Sequence, residues 1–249
     1  MRYMDKRIVK ASFRECPLSD RALFKKSSCL LPISVGQNIH EGRKFEATLK
    51  LINTSFEKCT ILVDDTVQRH TLKIIKPNNT EEVLYQKALY EGDQWLQRNA
   101  AAFAELKIPY KIERWDQWLS HPKFEGQLNE IKHLYDHQLL YRSQIDQNIK
   151  EYLERDVRKD VVNTEAMKCC LTYLQEECAV MSLWVEGGYN FEVYPNPRNK
   201  AMAATYQYLI EPFYPNLLRP VALRFKKYPN SDRILEKNHQ DFAKLQGLI

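Results

Sequence analysis

Apolar residues along this chain fall into two kinds of segment: short unbroken runs, and longer stretches with a period near that of a helix. The first run, Leu30-Leu31-Pro32-Ile33, ends in Ser34, and Gly36 follows two residues later. Phe45, Leu49 and Ile52 then recur at i, i+4 and i+7, so residues 29–55 predict strand, tight turn and helix. Cys59-Thr60-Ile61-Leu62-Val63 is a second run of strand length, ending in Asp64-Asp65. Strand, helix, strand at this spacing is a βαβ unit, which implies a parallel sheet. Ligands in open α/β sheets sit at the carboxyl ends of the strands, so Ser34, Asp64 and Asp65 share the edge where chemistry is expected. Gly36 permits a turn that a side chain would resist. The amides opening the next helix suit an oxyanion or phosphate. A serine at such a turn equally serves as a cap, and paired aspartates equally end strands or cap helices.

Pro77 to Glu82 reads as a loop and helix start, with Thr80 as N-cap of a helix that Leu89, Leu96, Ala100 and Phe103 carry to about Leu106. Ile108 to Trp115 alternates and predicts a third strand. Pro122 opens a long helical region with the stripe Leu128, Ile131, Tyr135, Leu139, Ile145 and Ile149, and a break is expected near 142–146. Glu151 to Lys159 is a charged, solvated helix face. Thr164 and Glu165 begin a helix running from Ala166 to about Met181. Gly187-Gly188 turns the chain into a fourth strand, Tyr189 to Tyr194, which Pro195 stops because proline has no N–H for the ladder. A helix over Arg198 to Leu209, a strand over Val221 to Phe225 and an amphipathic helix over Asp232 to Leu245 follow. Residues 1–27 are a basic, polar arm or a short lead-in strand. No repeat, low-complexity tract or linker interrupts the 249 residues, which predicts one α/β domain over 1–249, with residues 230–249 as its C-terminal helix.

Composition changes this picture little. Hydrophobic residues make up 44% of the chain, enough for a sizeable core. No run approaches the roughly 18 apolar residues of a membrane span, and residues 1–7 lack the apolar stretch of a signal peptide, so no membrane association is expected. The six cysteines include no Cys-x-x-Cys pair, and no histidines show zinc spacing. Reduced, buried thiols in a cytoplasmic protein without a metal are the simplest expectation. A net charge of +5 is compatible with a polyanionic partner.

The helix over 166–181 carries the remaining chemistry. Tyr173 and Glu177 are spaced i, i+4 and share a face with Ala166, Cys169 and Cys170. A carboxylate on such a face needs a partner or a task. Ser34, Tyr173-x-x-x-Glu177 and Tyr194-Pro195, in this order and spacing, resemble the tRNA-dependent cyclodipeptide synthases, and the resemblance covers about 28 to 226. That family divides into two branches by three positions: Asn, Tyr and His in one, a variable residue, Tyr and Pro in the other. Gln37, Tyr194 and Pro195 resemble the second.

The resemblance implies a Rossmann-like fold similar to the catalytic domain of tyrosyl- and tryptophanyl-tRNA synthetases. It implies that two aminoacyl-tRNAs are consumed to make a cyclic dipeptide, without ATP or another cofactor, by a protein expected to be a monomer. His40-Glu41-Gly42 echoes the synthetase adenylate motif only in part. By the resemblance, Ser34 holds the aminoacyl and then the dipeptidyl group, Glu177 binds the ammonium and accepts its proton, Tyr173 orients the amine, and Tyr194 relays a proton at ring closure. Gln37 offers a side-chain hydrogen bond. Alignment by offset lines the first aminoacyl pocket with Leu30, Pro32, Val180, Met181 and Pro195, and the second with Leu62, Asp64 and Asp65. Lys73, Lys76, Lys87, Arg98, Lys226 and Lys227 are candidates for tRNA phosphates, with solubilising charge as the plain alternative. Two other functions remain open on sequence. One is a non-catalytic aminoacyl-tRNA or nucleic-acid binding module. The other is a serine hydrolase, disfavoured because Ser34 is in no Gly-x-Ser-x-Gly elbow and no His-Asp pair is indicated by spacing.

Overall fold

The computed structural model describes residues 8–154 and 164–228. The helix expected over 232–245 and the charged run beyond Glu154 lie outside the described residues. The strands are β1 (Ile8–Arg14), β2 (Ser28–Ser34), β3 (Lys58–Asp64), β4 (Tyr110–Arg114), β5 (Phe191–Tyr194) and β6 (Arg219–Tyr228). The helices described are α1 (Leu18–Leu23), α2 (Gly42–Ser55), α3 (Arg69–Ile75), α4 (Glu81–Ala104), α5 (Trp115–Leu119), α6 (Phe124–His137), α7 (Leu139–Leu153), α8 (Thr164–Leu183) and α9 (Lys200–Thr205), the last followed by a π-turn over Tyr206–Ile210.

The sheet order is β1-β6-β5-β2-β3-β4. Strands β6 to β4 run parallel, and β1 adds an antiparallel edge to β6, so the N-terminal segment is a lead-in strand. From β2 the chain winds outward through β3 and β4, then returns to lay β5 and β6 on the other side. The order therefore reverses between β2 and β5, the point where such sheets open a crevice. The local sequence widens it. β2 pairs with β5 only at Cys29 and Leu30, and Pro32, which has no N–H to donate, lies beyond that short ladder. Above Leu30 the two strands part.

Side chains of a strand alternate between faces. Cys29, Leu31 and Ile33 of β2 pack with Cys59, Ile61 and Val63 of β3 against Phe45, Leu49, Ile52 and Trp95 of α2 and α4. Leu30 and Leu62 face the other way, into a core built on α8 with Trp115, Trp184, Tyr141 and Val180. The strand rows that end in Ser34 and Asp64 belong to this second face.

Periodicity does not reveal the short helices α1 and α3, and β6 runs over ten residues rather than only Val221 to Phe225. Three further differences have a local cause. The helical break falls at Gln138, whose backbone is extended (φ −108, ψ 100), rather than at 142–146. Leu139 and Leu140 are exposed at 78% and 72%, so the apolar stripe does not run through the break, and Arg142 donates to the freed carbonyls of Tyr135 and Asp136. β4 stops at Arg114 because Trp115 and Trp118 are both buried, a helical i, i+3 pairing that alternation cannot deliver. α9 starts at Lys200 rather than Arg198, since Asn199 is its N-cap and accepts from the Met202 N–H at 2.8 Å.

Candidate active site

A cavity of about 650 Å3 opens over the crevice, walled by the ends of β2, β3 and β5, by α7 and α8, and by the start of α9. Ser34 is the last residue of β2. Its Oγ lies 3.0 Å from the Tyr194 hydroxyl at the end of β5, directly across the strand reversal. Gly36 takes φ +85, and the Gln37 N–H donates to the Ser34 carbonyl at 3.2 Å, which closes the turn and lifts Ser34 to the cavity wall. A Cβ on Gly36 would meet nothing within 4 Å, so the demand for glycine there is one of backbone angle alone.

Burial pushes the Tyr194 phenol up to about 12, against the Ser34 hydrogen bond, so it is a neutral hydroxyl able to give and take a proton at once. The His40 ring sits 5.2 Å from the Tyr194 ring, not beside Ser34. Burial lowers His40 to about 3, and neither ring nitrogen has a hydrogen-bond partner among the described residues. A neutral imidazole held there does not complete a hydrolase triad with Ser34.

On α8 the successive residues Glu176 and Glu177 meet opposite environments. Glu176 is inside the protein, where Arg69 takes both its oxygens, His70 Nε2 lies 3.0 Å from Oε2 and Trp115 Nε1 donates at 2.8 Å. Burial acts to raise its pKa, yet His70 and Arg69 together hold it below the usual value. That cluster ties α8 to α3 and α5. Glu177, one position round the helix, faces the cavity without a cation among the described residues. Tyr173 Oη donates to its Oε1 at 3.3 Å and Asn199 Nδ2 donates to its Oε2 at 3.2 Å. Burial pushes Glu177 up to about 7, with those two hydrogen bonds pulling the other way. A carboxyl poised near neutrality can bind a cationic amine and take its proton. Burial also lifts the Tyr173 hydroxyl well above its ordinary value, keeping it a donor.

The cavity thus gathers Ser34, Gln37, Tyr173, Glu177 and Tyr194 with Pro32 and Asp64. Leu30, Leu62, Val180 and Met181 pack one layer below in the core, each at 0% exposure, and Pro195 is buried beside the end of β5. Asp65 points away, capping Thr66 N–H at 2.7 Å and pairing with Arg114. Gly92 of α4 packs against that pair, and a Cβ there would lie 2.4 Å from Asp65 Oδ2. Sequence reasoning passed over Asn199, Gln68, Thr71, Asn148 and Tyr152, which also line the cavity. For Asn199 a signal existed, an N-cap after Pro-Asn-Pro; the others come from helices whose register only the packed fold fixes.

Glu192 of β5 and Arg198 form a buried pair at the cavity rim, with side chains 3% and 5% exposed and Nη2 2.6 Å from Oε2. Arg198 also donates to the Leu218 carbonyl and lies over the Tyr206 ring at 4.2 Å. Arg198→Met removes one partner and leaves a carboxylate buried. A loss of about 3–5 kcal/mol in urea unfolding is the expected result, and an unchanged midpoint would mean that the pair contributes nothing net.

The basic candidates are dispersed. Lys73 Nζ bonds the Asn79 carbonyl at 2.8 Å, and Arg98 is held by Glu41 at 2.5 Å. Lys76 is exposed beside Lys87, whose hydrogen bond and charge lower its pKa. Lys226 and Lys227 are exposed on β6, and Lys226 pairs in register with Lys10 of β1. Like charges opposed across strands disfavour one another unless an anion joins them. Among the described residues no group of His, Cys, Asp and Glu could hold a metal ion, and no helix is long and apolar enough to cross a membrane. None of the six cysteines is in a disulfide.

No protein-family model matches the sequence, and no curated protein matches it. Solved structures do. A cyclodipeptide synthase from Candidatus Glomeribacter gigasporarum, solved bound to Phe-tRNAPhe, superposes with a TM-score of 0.68 at 20% identity, covering 82% of this chain and 91% of its own. A tyrosyl-tRNA synthetase from Archaeoglobus fulgidus shares the fold with a TM-score of 0.52 at 11% identity, over 88% of this chain and 60% of its own. A cyclodipeptide synthase from Fluoribacter dumoffii is 55% identical, with a TM-score of 0.87 over 89% of this chain and 100% of its own. With that degree of identity across a whole relative, the chain belongs to the cyclodipeptide synthase family.

Proposed function

We propose that the chain joins the aminoacyl groups of two aminoacyl-tRNAs into a cyclic dipeptide by a ping-pong route through Ser34. The observation that carries this reading is the contact of Ser34 Oγ with Tyr194 at 3.0 Å in the cavity that also holds Glu177. Gln37, Tyr194 and Pro195 support placement in the branch with a variable residue, Tyr and Pro. That a relative is bound to Phe-tRNAPhe supports aminoacyl-tRNA as the substrate.

The chemistry follows from the groups present. An aminoacyl-tRNA is an activated ester, so exchange onto a serine oxygen is close to balanced and needs no strong base at the serine. Ser34 Oγ attacks the first carbonyl, the Oγ–C bond forms, the bond to the ribose oxygen breaks, and the serine proton leaves with the tRNA hydroxyl. Glu177 binds the α-ammonium of the resulting ester and takes one proton, while Tyr173 orients the amine. That amine attacks the second aminoacyl-tRNA and releases the second tRNA. The new terminal amine attacks the Ser34 ester, and Tyr194 passes the proton back to Ser34 Oγ as the ring closes.

Purified protein given two aminoacyl-tRNAs and no ATP is expected to release a diketopiperazine, read by mass spectrometry. Folded protein that binds aminoacyl-tRNA and releases none would instead mark a binding module.

For tRNA contact we propose the exposed end of β6. Lys226→Glu with Lys227→Glu is expected to weaken tRNA binding and to flatten its dependence on salt, since each phosphate contact adds about 0.7–0.9 to the slope of log K against log salt. Unchanged affinity and slope would move the assignment to Lys73, Lys76 and Lys87.

A further inference from the structure

The acidic residues lining the cavity are Asp64, Glu151, Glu177 and Glu192. Glu151 is paired with Lys200, and Glu192 with Arg198. Asp64 and Glu177 have no cation among the described residues. Glu177 has its two neutral donors, but Asp64 Oδ1 has no hydrogen-bond partner among the described residues, although the residue is only 6% exposed. An unsatisfied buried carboxyl oxygen is costly and calls for a partner that arrives with a ligand. The neighbouring Asp65 shows the contrast, being committed to Thr66 and Arg114.

The reaction supplies such partners in the right number. Two aminoacyl substrates bring two α-ammonium groups, and the cavity offers two carboxyls without cations. Their positions differ. Glu177 stands across the cavity on α8. Asp64 is the Cα partner of Ser34 on the adjacent parallel strand, roughly 4.8 Å away in the pairing direction, with both side chains lining the cavity. The amine that must reach the Ser34 ester last is that of the second residue, because only its attack closes the ring.

We propose that Asp64 is the group that receives the α-ammonium of the second aminoacyl residue and takes one of its protons at ring closure. This rests on the acyl-Ser34 route above. The freed amine attacks the ester carbonyl, the new C–N bond forms, the bond to Ser34 Oγ breaks, and the second proton returns to Ser34 Oγ through Tyr194. Burial, with Glu177, Asp65 and Glu192 nearby, holds the Asp64 carboxyl well above its ordinary range. Without a cation beside it the carboxyl is therefore held neutral. The incoming α-ammonium favours the ionised form, so the Asp64 proton leaves to solvent as the cation binds and the carboxylate then takes one from the amine.

The test is a single turnover with labelled aminoacyl-tRNA, following the intact protein by mass. Wild-type protein passes through a one-residue and then a two-residue adduct. Asp64→Asn keeps the shape and loses the base, so the one-residue adduct should form as in wild type. The two-residue adduct should then accumulate and clear at least about 100-fold more slowly. Asp64→Ala should do the same, and added acetate should speed its clearance. Formation of the first adduct reports that either variant is folded. Clearance of the two-residue adduct at the wild-type rate in the variants would overturn the role of Asp64 and leave the acyl-Ser34 route standing. Loss of the one-residue adduct in a variant with a wild-type melting curve would also overturn it, by placing Asp64 before acylation. Absence of any adduct on the wild-type protein would remove the route itself, and this role with it.

Discussion

Glu177→Gln is expected to acquire an aminoacyl group on Ser34 yet release cyclic dipeptide at about 1% of the wild-type rate or less, the usual cost of losing a general base. The substitution keeps size and one hydrogen-bond acceptor, so the contacts from Tyr173 at 3.3 Å and Asn199 at 3.2 Å are challenged only in part. In the proposed route it removes the charge that binds the ammonium and the oxygen that takes its proton. Substrate capture should weaken too, because charge-assisted hydrogen bonds are about twice as strong as neutral ones. The pH profile separates the base from its geometry. Burial places the Glu177 carboxyl at about 7, so the wild-type kcat/KM should rise through neutrality as the carboxylate forms, and the variant should lack that limb. Stability should move with the opposite sign. A carboxyl whose folded pKa lies above its unfolded value contributes stability below the unfolded value and loses it as pH rises through about 7. Glu177→Gln should therefore match wild type in melting temperature near pH 5 at best and exceed it near pH 8. Normal cyclisation by the variant would mean that another group takes the proton.

The larger effect is expected at Ser34. In the proposed route Ser34 Oγ alone holds the acyl group through both transfers, and Ser34→Ala removes it. Neither the Tyr194 phenol, with burial pushing it to about 12, nor the neutral His40 offers a substitute nucleophile. Cyclic dipeptide should fall below detection and the protein should carry no acyl adduct, while the melting temperature should change little because only one hydroxyl and its contact to Tyr194 are lost. Ser34→Cys retains a nucleophile and should still become acylated. Product from Ser34→Ala at even 10% of wild type would require direct attack of one aminoacyl-tRNA on another.

Much of this site was legible in the sequence because it hangs on two local rules. An apolar run ending in Ser34 before Gly36 fixes strand and turn, and the spacing of Tyr173 and Glu177 fixes a shared helix face. What joined them was the reversal of strand order, which sets Ser34 beside Tyr194 although 160 residues separate them. Offsets carried over from motifs were less informative about depth. Leu30 and Pro32 sit on one strand face, yet only Pro32 reaches the cavity, because two residues along the strand carry a side chain from the core to the wall. Asp64 and Asp65 are adjacent and identical, but Asp64 ends the strand and lines the cavity, whereas Asp65 has already turned helical, caps Thr66 and meets Arg114. Arg69 and His70 likewise found Glu176 across more than 100 residues, a pairing no periodicity contains.

The central claim is that Ser34 carries the substrate. The most direct measurement is to mix the protein with one aminoacyl-tRNA, quench within a single turnover, digest, and locate the added mass by peptide sequencing. An aminoacyl ester on the peptide containing Ser34, absent from Ser34→Ala and trapped in Glu177→Gln, is the predicted result. Cyclic dipeptide formed with no mass on Ser34 at any time would contradict it.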